Sequence, residues 1–151
     1  MTGPSGSNGL SQYAYVYNDA AQTVALEADI TFNKNGRMTA GITHTPGTPG
    51  DAGIALVNAG DYEVTFSVSG VGPNQMALFV NTGGTATLVP GTVYGSGAGT
   101  QQNIGQVIAT FAAGDILTVR NHTSAAGVAV ETLSGGTQTN TNASVVIEKL
   151  D

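Results

Sequence analysis

The chain has 151 residues and only 9% charged residues, against about 25% in an average domain, so uncharged Thr, Ser, Asn and Gln must cover its surface. Its formal net charge is −6, and its four basic residues (Lys34, Arg37, Arg120, Lys149) form no patch that would neutralise phosphates, which argues against nucleic acids and anionic membranes as partners. There is no Cys, which removes zinc-ribbon, thiol-protease and iron–sulfur chemistry, and no apolar run nears the ~20 residues of a membrane span, so no membrane insertion is expected.

The length suits one domain with one core, folded without disulfides or metal. Residues 1–9 lack the basic start and apolar centre of a signal peptide, and Met1 reads as a start codon added to an excised domain. Gly3-Pro4-Ser5-Gly6-Ser7-Asn8-Gly9 reads as Gly-X-Y triplets, the repeat that collagen needs because only Gly fits at the triple-helix axis; the other reading is a flexible tail. Residues 1–12 are therefore set apart as tail or triplet remnant, and 13–151 as a single β domain.

Helix signals are nearly absent beyond that point. Short alternating runs rich in β-branched residues recur between Gly, Pro, Asn and Asp, which predicts a two-sheet antiparallel sandwich of about ten strands. In chain order, strands are expected at 13–17, 23–26, 30–32, 38–43, 54–57, 62–69, 75–81, 85–88, 103–110, 116–121, 127–133 and 143–150. The clearest is 62–69, whose period-two alternation puts Tyr62, Val64, Phe66 and Val68 in the core and Glu63, Thr65 and Ser67 outside. The same period puts Val145 and Ile147 in the core, with Ser144 and Val146 opposite. Asn35-Gly36, within Lys34-Asn35-Gly36-Arg37, is a strong short hairpin signal, while residues 45–50 and the Gly-rich run 95–99 read as loops.

Catalytic and metal chemistry find little support. His44 and His122 stand alone, one at a strand end and one in a turn, and both read as surface residues without the three or four ligands of a zinc site. Glu27 and Asp29 share a face if their segment is extended, but paired carboxylates for sugar hydrolysis would want aromatic platforms, and aromatics are sparse. Asp51 and Asp115 offer loop carboxylates without a calcium motif, and Asp115 reads as the fixer of a turn. No Gly-x-Ser-x-Gly elbow or phosphate loop occurs. The expectation is a protein that is not an enzyme and has no cofactor. Asn121-His122-Thr123 and Asn142-Ala143-Ser144 match the N-glycosylation sequon; a glycan on Asn142 would have to point outward.

Four segments together carry a family resemblance. They are Ala59-Gly60-Asp61-Tyr62-Glu63-Val64; Leu78-Phe79-Val80-Asn81-Thr82-Gly83 with Val89-Pro90-Gly91-Thr92; Ala113-Gly114-Asp115-Ile116-Leu117; and Ala143-Ser144-Val145-Val146-Ile147-Glu148-Lys149-Leu150. In order and spacing they resemble the C-terminal domains of bacterial collagen-like spore-surface (exosporium) glycoproteins of the BclA type. Those belong to the jelly-roll superfamily of tumour necrosis factor and complement subcomponent q. The resemblance covers residues 13–151 and departs from the complement-type pattern in lacking an aromatic-rich final strand.

What the resemblance implies is a homotrimeric jelly roll on the outside of a spore or cell, its main partner being itself and host-cell or surface receptors a further class. Collagen supplies a physical reason for three copies: its strands must be held in register before they zip, and a compact trimer at one end raises their effective concentration. The segment Asn103-Ile104-Gly105-Gln106-Val107-Ile108 is apolar on both faces, which suits a strand covered by a neighbour. The seam is assigned to Thr65, Ile104, Gln106, Ile108 and Val146, with Tyr15 nearby; the alternative is a monomeric sandwich holding these residues in its own core. The implied function is a structural head that trimerises and caps a collagen-like fibre, with adhesion as a secondary role. The rival is a receptor- or glycan-binding head of a phage tail fibre or adhesin.

Overall fold

The computed structural model describes residues 10–47, 50–99 and 101–151. The Gly-X-Y segment lies outside the described residues, as do Thr48 and Pro49 of the predicted 45–50 loop. Thirteen strands are present among the described residues. They are β1 (Tyr13–Asn18), β2 (Thr23–Val24), β3 (Lys34–Met38), β4 (Ile42–Thr43), β5 (Ile54–Leu56), β6 (Gly60–Val68) and β7 (Asn74–Asn81). The rest are β8 (Ala86–Leu88), β9 (Tyr94–Ser96), β10 (Asn103–Phe111), β11 (Ile116–Asn121), β12 (Val128–Ala129) and β13 (Ala143–Lys149).

They build two antiparallel sheets and a short ribbon. The first sheet runs β10-β6-β13-β1-β3; the second runs β4-β5-β11-β7-β8, with β9 also on β7; β12 pairs β2. Strands distant in sequence are neighbours in both sheets, which is the winding of a jelly roll. Alternation decides what lies between the sheets. Tyr62, Val64, Phe66, Val68, Val145 and Ile147 are all buried in one hydrophobic cluster with Met76, Leu78, Leu117 and Val119 from the facing sheet. The Tyr62 hydroxyl donates to the Asn58 carbonyl at 2.7 Å, and its burial raises its pKa above the ordinary 10.0.

Several sequence expectations are corrected. Asn35-Gly36 is not a hairpin turn: it lies inside β3, where the pairing register with β1 shifts between Ala14 and Val16. The glycine serves a close approach instead, since a Cβ at Gly36 would lie 2.7 Å from Tyr15 Cδ1. The expected strand at 38–43 divides at a turn closed by Ile42 N–H donating to the Thr39 carbonyl. Segment 30–32 makes no strand; Phe32 bridges Asp51 and Ile30 N–H donates to the Val119 carbonyl. Strand 23–26 stops at Val24, because Glu27 turns into a left-handed backbone (φ 59°). Strand 127–133 shrinks to Val128–Ala129, leaving Leu133 exposed. Gly95 and Ser96, expected in a loop, belong to β9, where Gly95 pairs Gln75.

The two ends of the sandwich differ. At one end Tyr13, Glu148, Glu63 and Ile108 align across four strands, next to the last residues of the chain. At the other end Asn18, Ala143, Val68 and Asn103 align, and the turns after β1, β6, β11 and β12 gather there. Gln12, within the segment set apart as tail, is bonded to the domain: its Oε1 accepts from Gly41 N–H at 2.8 Å and its carbonyl from Lys149 N–H at 2.8 Å.

Candidate functional site

The outer face of the five-stranded sheet carries the candidate site. Because side chains on a strand alternate, inward Val64, Phe66, Val145 and Ile147 force their neighbours outward. The register then sets those neighbours in rows. Tyr15 lies opposite Val146, Val146 opposite Thr65, and Thr65 opposite Gln106. One row toward the loop-rich end are Tyr17, Ser144, Ser67 and Ile104; one row the other way are Tyr13, Glu148, Glu63 and Ile108. All six residues assigned to a seam therefore lie on one contiguous face. None is in the chain's own core: Ile104 is 54% exposed, Ile108 66% and Val146 38%.

Two members of this face were missed, Tyr13 and Tyr17. The signal was available, since Tyr13, Tyr15 and Tyr17 share the period-two face opposite buried Ala14 and Val16. Tyr15 and Tyr17 stack with ring centroids 5.2 Å apart. Glu63 and Glu148 are direct cross-strand neighbours, so two like charges sit beside Ile108 and Tyr13. Beside β10 a hollow of about 350 Å³ is lined by Glu63, Tyr94, Gln106, Val107 and Ile108. Its wall is fixed because the Tyr94 hydroxyl donates to the Gln106 carbonyl at 3.0 Å while the ring meets Phe66 edge-on.

The outer face of the second sheet is finished differently. Phe79 lies on that face, opposite Thr118, yet it is buried. The Arg120 guanidinium lies 4.1 Å above its ring and His122 meets its edge at 5.2 Å. Arg120 is held by Asp29 at 2.8 Å, and His122 by Glu27 at 2.9 Å. This face covers Phe79 with paired polar groups but leaves Leu88 and Ile116 39% and 38% exposed, while the face of the first sheet leaves Ile104, Ile108 and Val146 exposed.

The remaining candidates resolve as structural groups. Glu27 and Asp29 do not act together; Asp29 binds the Arg120 guanidinium and Glu27 the His122 ring. The His122 ring, and then Thr123 N–H, hold the Glu27 carboxyl below its ordinary 4.5. His44 and His122 are not free surface residues: His44 is half-buried between Asn35 Oδ1 and the Asp51 carbonyl. Asp51 Oδ1 accepts from Gly53 N–H. Asp115 fixes its turn by accepting from Ala112 N–H at 2.8 Å, and from the Thr82 hydroxyl at 2.7 Å. No group of three or more His, Asp or Glu among the described residues could hold a metal ion. No helix among them is long and apolar enough to cross a membrane.

Both sequon asparagines are buried, Asn121 fully and Asn142 to 1% exposure. Asn142 does not point outward: its side chain accepts from Asn18 Nδ2 and donates to the Ala20 carbonyl. Asn121 Nδ2 donates to the carbonyls of Val24, Ala25 and Ala126. Neither amide is available to a glycan in the folded chain.

No protein-family model and no curated protein sequence matches the chain. Solved structures do. An Eiger tumour necrosis factor from S. frugiperda superposes with a TM-score of 0.67 at 13% identity, covering 92% of this chain and 92% of that one. The globular domain of the zebrafish complement 1qA protein gives 0.62 at 10% identity, covering 93% and 96%. The fold is the jelly roll of tumour necrosis factor and complement 1q. The vertex protein P5 of PRD1 shares it too, with a TM-score of 0.57 at 14% identity over 95% of this chain and 100% of that one. At such identities the likeness extends to the fold alone.

Proposed function

We propose that this jelly roll is a self-associating head, three copies of which join through the outer face of the five-stranded sheet and hold the strands of a collagen-like extracellular fibre in step. The reading rests on one observation: Ile104 and Ile108, at 54% and 66% more exposed than Leu88 and Ile116, lie with Val146 on the face that carries Tyr15, Thr65 and Gln106. Burying an aliphatic side chain is worth about 1.5–3 kcal/mol, so three of them give association a driving force. The role is structural and not catalytic, at the surface of a spore or cell, with the Gly-X-Y segment as the fibre's last triplets. The bonding of Gln12 beside β13 supports it, because it brings the chain leading into β1 against the domain at the end where Ile108 lies.

Light scattering after size exclusion tests the proposal. The chain is 15.1 kDa, so a trimer should elute at about 45 kDa at micromolar concentration. A clean monomer would remove the reading. A second reading, the head of a viral fibre, is favoured by the shared fold of the PRD1 vertex protein. It predicts a coiled coil upstream in the parent gene, where the fibre reading predicts a long Gly-X-Y tract.

A further inference from the structure

The loop-rich end of the sandwich holds a cleft that self-association through the five-stranded sheet does not use. Its volume is about 290 Å³, and its walls include Ser69, Gln102, Glu131, Ser134, Asn140 and Thr141. The end of β6 and the turn between β12 and β13 form it, and both are anchored. Glu131 N–H donates to the Ser69 carbonyl at 2.9 Å, and Ser69 N–H to the carbonyl of buried Asn142 at 2.8 Å. Asn140 ties the turn to itself: its Nδ2 donates to the Glu131 carbonyl, its Oδ1 accepts from Ser134 N–H, and its own N–H donates to the Thr132 carbonyl. A turn bonded in this way holds its backbone, and so the positions from which its side chains project, in one arrangement.

The chemistry of the array selects its ligand. Glu131 is acceptor-only, Gln102 supplies two N–H donors and an acceptor, and the Ser and Thr hydroxyls do both. None of the four ion pairs among the described residues employs Glu131. Among the described residues no Lys, Arg or His lines the cleft, so an anionic group would meet an uncompensated carboxylate. No aromatic ring among the described residues lines it either, so flat apolar ligands gain nothing from stacking. An ammonium group is donor-only and would meet the acceptors alone, whereas a neutral molecule rich in O–H groups matches donors and acceptors together, and a vicinal diol can donate both hydrogens to one carboxylate in charge-assisted bonds.

We infer that this cleft is a binding site for a neutral saccharide, with Glu131 as acceptor for two adjacent hydroxyls and Gln102 as donor. The cleft lies within a single chain, so the inference does not rest on self-association. Without stacking, one site binds weakly, at about millimolar Kd. If three copies assemble, three clefts face the same way, and multivalent contact multiplies the affinity for a glycan-coated surface.

Saturation-transfer NMR on the whole chain tests this with methyl α-mannoside, methyl β-galactoside and methyl β-glucoside. N-acetylneuraminic acid and putrescine serve as anionic and cationic controls. At least one neutral glycoside should receive saturation, with one site per chain. Glu131→Ala should abolish the transfer, and Glu131→Gln should weaken binding about tenfold, as a charge-assisted acceptor becomes a neutral one. Circular dichroism should show both variants folded, since Glu131 is not in the core. No transfer to any of the three glycosides at tens of millimolar, transfer indifferent to Glu131→Ala, or preference for either control would each overturn the inference. Glycoside binding by a chain that scatters as a monomer would sink the trimer proposal and leave this one standing.

Discussion

Glu27 and Thr123 are the two non-glycine residues with left-handed backbones among the described residues, each at φ 59°, and they are bonded to each other. Thr123 N–H donates to Glu27 Oε1 at 2.9 Å across 96 positions of sequence. The same carboxylate holds the His122 ring against Phe79. A β-branched residue in that region is strained by about 1–3 kcal/mol, so a partner must hold it there. One carboxylate thus pins two unfavourable turns and one side of the cover over Phe79.

A pH dependence follows. The folded Glu27 carboxyl titrates below the unfolded 4.5, so its contribution is complete above pH 4.5 and is lost as pH falls through the lower folded value. Asp19, held down by Lys34 and Asn33, and Asp151, held down by Lys149, act in the same direction. The melting temperature should therefore fall as pH drops below 4.5. Glu27→Gln should melt lower than the parent at pH 7, with a gap that narrows below pH 4.5. A gap unchanged across that window would show that the contact does not depend on charge.

Gly105 is required by contact and not by its backbone angle. A Cβ there would lie 2.2 Å from Phe66 Cζ and 2.7 Å from Tyr94 Cδ2. Gly105→Ala must displace a core ring that meets Tyr94 edge-on, at an overpacking cost of about 1–3 kcal/mol. Urea denaturation should show a lower midpoint at an unchanged slope.

Asp115 is buried to 4% exposure and closes the turn that delivers β11, where Gly114 takes φ 87°. Asp115→Ala leaves the Ala112 N–H and the Thr82 hydroxyl without their acceptor, which should cost about 1–3 kcal/mol. Asp115→Asn retains one acceptor and should recover part of the loss in the same denaturation measurement.

Ile108 separates association from folding. It is 66% exposed in the single chain, so Ile108→Asp should preserve the circular dichroism spectrum while shifting the scattering mass from trimer to monomer. An unchanged mass would place the interface elsewhere.

The alternation of apolar residues was enough, by itself, to determine the all-β class, the core positions Tyr62, Val64, Phe66, Val68, Val145 and Ile147, and the outward set on β6 and β13. Period-two geometry is local, and a strand turned over would put its whole apolar set in water. Only the tertiary structure decided that Tyr15, Val146, Thr65 and Gln106 form one row, because register couples strands whose sequence separations alternation does not measure. The same holds where local signals misled. Asn35-Gly36 carries a turn's dipeptide, yet packing against Tyr15 draws it into a strand. Glu27 carries no turn signal, yet a bond to Thr123 holds it in one. In both places a long-range contact outweighs a local preference of about 1 kcal/mol, and contacts of that kind exist only once the chain has folded.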